Sequence, residues 1–170
     1  PAVHASAMPD TLNLGQSTVL SAISNNSTVT YNWTPAYGLS CINCPVTDAN
    51  PYNTTLYNVL ITDSNGCTAS DSVLITVNGA GMVYIPNAFS PNGDGNNDVF
   101  QIYGEGIKII DLKVFNRWGE KVYESNNQFE GWDGTYKGVK QMPAVFVYEA
   151  GITYLNDKKD FKKGSVTLIR

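Results

Sequence analysis

The chain has 170 residues, 42% of them apolar, and a formal net charge of −4, the proportions of a folded protein and not of a disordered tail. Its longest apolar runs, such as Val59-Leu-Ile61 and Val145-Phe-Val147, are too short to cross a bilayer, so no transmembrane helix is expected. Residues 1–78 contain no Lys or Arg and only four acids (Asp10, Asp48, Asp63, Asp71), which excludes nucleic acid as their partner. With no initiator Met and no basic-then-apolar leader, the chain reads as a piece of a longer exported protein. His4, the one histidine, falls in a terminus expected to fray. Thr18–Ile23 and Val29–Thr34 alternate with the period of half-buried strands. Leu56–Thr62 and Ser72–Val77 follow, joined through Asp63-Ser-Asn-Gly66, whose Asn-Gly pair signals a tight turn. Short strands at this spacing, with Trp33 placed for the core, predict an immunoglobulin-like sandwich.

Three cysteines lie in this half, at 41, 44 and 67. Pro45 and the lack of a following helical pattern argue against a redox pair at Cys41-Ile-Asn-Cys44, and a zinc site lacks ligands. A disulfide Cys41–Cys44 is the default; Cys44–Cys67 remains open, and either leaves one thiol.

The charge pattern changes at Asn78-Gly-Ala-Gly81: all eleven basic residues and the other eleven acids follow. This predicts two domains, 1–79 and 82–170. Strands are expected at Met82–Ile85, Val99–Tyr103, Ile109–Asn116, Glu120–Glu124, Val145–Ile152 and Gly164–Ile169. Gly119 and Gly138 are placed for turns with positive φ. No 3.6-residue apolar stripe is present. The fold class is therefore all-β, with two consecutive Ig-like antiparallel β-sandwiches, the second of about seven strands and with Trp118 and Trp132 in its core.

Asn92-Gly-Asp-Gly-Asn-Asn-Asp98 sets oxygen-bearing side chains at Asn92, Asp94, Asn96 and Asp98, the spacing with which a loop wraps Ca2+. The same residues suit an Asx-turn network that satisfies loop amides. Trp118 and Trp132 form, on a second reading, a sugar-stacking platform. A single histidine, no G-x-S-x-G elbow and no distinguished pair of acids leave nothing for an enzyme to work with. The basic stretch from Lys158 to Arg170 is a solvated hairpin flank or, more sharply, a docking patch.

Two resemblances follow from these segments. Leu56 to Val77 looks like the last strands of the PKD-like repeats of bacterial surface proteins. Tyr84–Asp98, Phe115–Tyr123, Gly131–Gly138 and Lys163–Arg170, in that order, resemble the gliding-motility-associated C-terminal domain, the type B sorting domain of the type IX secretion system of Bacteroidota. Ala144 departs from the pattern, standing where a Gly-containing turn is expected. The resemblance implies a folded signal read after Sec export by the type IX translocon and its shuttle proteins, with a PorP/SprF-type outer-membrane β-barrel as partner. It implies the surface, outer-membrane-associated end of a large SprB-like adhesin of gliding motility. The contact surface it suggests comprises Pro86, Asn87, Phe89, Pro91, Asn92, Gly93, Asp94, Gly95, Asn97 and Asp98, the Arg117-Trp118-Gly119 turn, and Lys163 and Arg170. An exposed last strand would be free to add to a receptor sheet. The rival is a carbohydrate-binding or adhesive module.

Overall fold

In the computed structural model residues 1–79 and 81–170 are described; Ala80, inside the expected boundary stretch, lies outside the described residues. The chain divides into two compact units, Pro1–Ala80 and Gly81–Arg170. Both are built of strands, and no helix occurs among the described residues.

The first unit has seven strands: β1 (Val3–Met8), β2 (Thr11–Asn13), β3 (Thr18–Ser24), β4 (Val29–Thr34), β5 (Val46–Ala49), β6 (Thr55–Asp63) and β7 (Thr68–Asn78). They form two sheets, ordered β1-β3-β5 and β2-β7-β6-β4. Alternation decides which face is buried. Leu20 and Ala22 of β3, Tyr57, Val59 and Ile61 of β6, and Ile75 and Val77 of β7 turn inward around Trp33. Both large rings in this core have their polar atoms satisfied. The Trp33 indole donates to the Cys44 carbonyl at 2.9 Å, and the Tyr57 hydroxyl donates to the Tyr37 carbonyl at 2.7 Å. Asp63 builds the β6–β7 turn, its Oδ1 accepting from the amides of Asn65 and Cys67, both at 2.9 Å. Cys41 and Cys44 are bridged, and Cys67 is an exposed free thiol on that turn.

The N-terminal segment is not frayed. His4 sits in β1, paired with Ile23 of β3, and its Nδ1 lies 3.4 Å from the Asp71 carboxylate. The Ala5 amide donates to the same carboxylate at 2.8 Å. These long-range bonds hold a segment whose own small side chains give no strand signal.

The second unit has nine strands: β8 (Val83–Tyr84), β9 (Ala88–Phe89), β10 (Tyr103–Gly104), β11 (Ile107–Phe115), β12 (Lys121–Ser125), β13 (Thr135–Tyr136), β14 (Val139–Lys140), β15 (Ala144–Tyr154) and β16 (Lys159–Leu168). Five make one sheet, ordered β12-β11-β15-β16-β9, with β9 parallel to β16 and the rest antiparallel. Ala144 opens β15 in regular register, opposite Leu168. Ile110, Leu112, Val114, Val122, Phe146, Ala150, Val166 and Leu168 form the buried face.

The covering layer differs from the expected second sheet. It consists of two short ribbons, β8–β10 and β13–β14, and a single bridge between Phe100 and Trp132. The strand expected over Val99–Tyr103 is reduced to that bridge and the two residues of β10. The reason is local. Asn97 has φ +53° just before it, and Gly131 approaches so closely that a Cβ there would meet Val99 Cβ at 2.6 Å. Aromatic rings fill the volume that a regular sheet would occupy. Trp132 stacks edge-on against Phe146 with centroids 4.7 Å apart, and Phe89 lies 5.4 Å from Trp132 and 6.0 Å from Phe100.

Candidate functional site

The Asn/Asp/Gly-rich loop is held by its own side chains. Asp98 spans it, Oδ1 accepting from the Gly93 amide at 2.7 Å and Oδ2 from the Gly95 amide at 2.8 Å. Asp94 accepts from the Asn96 amide at 2.7 Å and from Asn92 Nδ2 at 2.9 Å, while Asn92 Oδ1 accepts from the Asp94 amide at 3.1 Å. The Asn96 amide first, and the Asn92 side chain second, hold the Asp94 carboxyl below its usual range. Gly93 and Gly95 take φ of +82° and +85°, which this curvature requires. These contacts make an interlocked Asx-turn network whose carboxylate oxygens are all engaged by loop donors.

Beneath the loop, Phe89 is 2% exposed and Pro86 is buried. Both side chains are covered, contrary to the sequence expectation of a contact surface there, because Phe89 belongs to the core cluster and Pro86 lies buried just before β9. Asn87 and Asn92 to Asn97 are exposed, while Pro91 and Asp98 are half-buried.

The second element is the β11–β12 turn. Asn116 Oδ1 accepts from the amides of Trp118 and Glu120, both at 3.0 Å, and Gly119 closes the turn with φ +78°. Trp118 therefore points outward and is 80% exposed. This corrects its expected place in the core: a residue in the middle of a tight hairpin turn projects away from the sheet whatever its hydrophobicity. The Arg117 guanidinium lies over the Trp118 ring, 5.2 Å from its centroid. Trp132 is the opposite case, 1% exposed with its indole donating to the Thr135 carbonyl at 2.7 Å. The two rings thus form no common platform for a sugar.

A third element meets the second. Asn116, Arg117 and Trp118 share a shallow groove of about 240 Å³ with Gln141, Met142, Pro143, Ala144, Val145 and Phe146. Met142 is 79% exposed and continues the apolar rim. Arg170 reaches the same segment, Nε donating to the Gln141 carbonyl at 3.0 Å and Nη2 to the Gly134 carbonyl at 3.3 Å. Pro91 closes on this point, since a Cβ on Gly134 would touch Pro91, Leu168 and Arg170 within 3.4 Å. Pro91, Arg117, Trp118, Gly119 and Arg170 consequently gather toward one end of the second unit. Among the described residues, Arg117 and Arg170 are in no carboxylate ion pair. Lys163 stands apart, five residues before Leu168, hence about 17 Å along β16. The sequence reading expected a Gly-containing turn at Ala144 and did not foresee the exposed Met142-Pro143 rim beside Trp118.

Comparisons with known proteins bear on this unit. The CHU_C type IX secretion signal domain model matches residues 83–168. No curated protein matches the chain. Among solved structures it is similar to the fibronectin(III)-like modules of Clostridium thermocellum CbhA, at 14% identity over 98% of this chain and 93% of that one, with a TM-score of 0.34. For murine CEACAM1b the values are 10%, 98%, 98% and 0.36. For a tetra-tandem repeat from the extending region of a large adhesion protein they are 14%, 98%, 48% and 0.40. Similarities this low carry nothing about binding or activity.

Proposed function

This chain belongs to the CHU_C type IX secretion signal domain family, and from that membership we propose that Gly81–Arg170 is the address and anchor of a cell-surface adhesin. Its route is type IX export, and its reader is the secretion machinery. The finer reading is that a PorP/SprF-type barrel at the outer membrane recognises the end of the unit bearing Arg117, Trp118 and Arg170, for an adhesin serving gliding motility. The first unit, cation-free and stiffened by a disulfide, is then one module of the cargo. The observation that carries this reading is Trp118: a large ring left 80% exposed on a rigid turn, with a cation stacked on it. Trp and Arg in such settings are the residues that anchor protein interfaces.

The test is to fuse residues 81–170 to a periplasmic reporter in a type IX-competent host and score its arrival at the cell surface. Surface display that is lost with Trp118→Ala, while the protein stays folded, supports the reading. A reporter retained in the periplasm refutes it.

A further inference from the structure

Strand β16 is covered on one side only. All ten of its residues pair with β15, from Thr153↔Lys159 to Ala144↔Leu168, whereas β9 reaches only Thr167 and Leu168. Ladder parity fixes which amides face the uncovered side. The N–H groups of Thr167 and Ile169 donate to the carbonyls of Asn87 and Phe89, both at 2.9 Å, so odd-numbered residues of β16 turn their main chain away from β15. Phe161, Lys163 and Ser165 continue this series along the open edge. Before Asn87 the chain leaves the edge, because Pro86 is buried and Ile85 packs against the core. The Phe161 amide is occupied by the Asp160 carboxylate at 2.8 Å, itself held by Lys162 at 2.9 Å. By the same parity the amides of Lys163 and Ser165 point to the uncovered side, and both residues are exposed.

Side chains along this edge carry a pattern. Lys159, Phe161 and Lys163 stand on the outer face of the sheet, and Phe161 is 60% exposed. Among the described residues neither Lys159 nor Lys163 is in a close ion pair, although Glu149 of β15 stands opposite Lys163 in the ladder. A row of cation, aromatic, cation repels a second copy of the same strand, because lysine would face lysine. It complements a strand of opposite charge.

We infer that the Lys159–Ser165 edge accepts, by strand addition in line with β9, an extended acidic segment of another polypeptide. Its outer-face residues read acid, apolar, acid against Lys159, Phe161 and Lys163. Asp160 serves as a removable plug: it satisfies the Phe161 amide until a partner carbonyl takes its place. The edge is distinct from the end bearing Trp118 and does not depend on what reads that end.

The full 170-residue chain, labelled with nitrogen-15, is titrated with two synthetic heptapeptides. One has glutamates at its second and sixth positions, valine at the fourth and threonine elsewhere; the other has lysine for glutamate. The acidic peptide shifts the amides of Phe161, Lys163 and Ser165, and binds at least about fivefold more tightly than the basic one, because two exposed charge pairs turn from attraction to repulsion. The double variant Lys159→Glu/Lys163→Glu reverses that order. Ser165→Pro removes one outward amide, leaves the β15 ladder intact and weakens the acidic peptide. The proposal is overturned if these amides stay still with the acidic peptide, if its advantage survives charge reversal, or if the shifts fall on Arg117 and Arg170 instead.

Discussion

Replacing Trp132 and Trp118 by alanine, one at a time, separates what holds the second unit together from what it displays. Trp132 is buried at 1% exposure, in ring contact with Phe89 and Phe146, and its indole serves the Thr135 carbonyl. Truncating a buried Trp costs about 3–5 kcal/mol through lost transfer and a residual cavity. The orphaned Thr135 carbonyl adds about 1 kcal/mol. The sum, about 4–6 kcal/mol, is comparable to the whole stability of a domain, about 5–15 kcal/mol. At about 4–8 °C per kcal/mol for a unit of this size, the melting midpoint of the second unit falls by at least about 15 °C. Trp118, 80% exposed, stacks with the Arg117 guanidinium and borders the open groove beside Met142 and Pro143, and its loss stays within about 0.5 kcal/mol. Thermal unfolding of the full chain, read by hydrogen exchange at amides of β11 and β15, gives both numbers; surface display of the reporter fusion gives the functional arm. Trp132→Ala loses stability and display together, and Trp118→Ala loses display alone. A Trp118→Ala protein destabilised by more than about 1.5 kcal/mol, on the scale of a moderate core defect, would refute this division of roles.

Asp98→Ala frees the amides of Gly93 and Gly95, which it bonds at 2.7 and 2.8 Å, and loosens the loop by about 1–3 kcal/mol; faster exchange at those two amides, with the first unit unchanged, is the expected result. Reducing Cys41–Cys44 opens a loop with a sequence separation of 3, so the chain-entropy estimate gives a loss of only about 2 kcal/mol, confined to the first unit. Thiol titration of the native, oxidised chain returns one reactive group, Cys67. Burial, with the Tyr37 ring as a second cause, pushes the Tyr57 hydroxyl from 10.0 up to about 12. A raised folded-state value contributes stability that is complete below pH 10 and disappears as pH climbs through about 12, a loss of about 2–3 kcal/mol. Tyr57→Phe flattens that alkaline dependence in urea titrations of the first unit, at the expense of its bond to the Tyr37 carbonyl.

Strands with one apolar and one polar face were readable from sequence. Val29–Thr34 has the expected bounds, and Ile110, Leu112 and Val114 are buried while Asp111 and Lys113 face out. Where both faces are polar or small, periodicity carries no signal. β1 is built of Val-His-Ala-Ser-Ala-Met, and the first half of β16 of Lys-Asp-Phe-Lys-Lys; pairing with β3 and β15 makes them strands. The two-residue β9 is set by its seat beside β16, which no local pattern encodes. At the candidate site, the loop and both arginines were visible as motifs, but the exposure of Trp118 and the burial of Phe89 were inverted. Residue type outweighed position there. Asn116 and Gly119 mark a hairpin turn, and that mark implies that the two residues between them project outward.

The parallel contact of β9 with β16 joins two stretches separated by nearly the whole length of the second unit. While the ribosome is still upstream of Lys159, β15 lacks one neighbour and β9 has no seat at all. A polypeptide interrupted before that point therefore bears an unfinished label. The fold of the label is complete only once the β16 segment exists to pair with both β15 and β9.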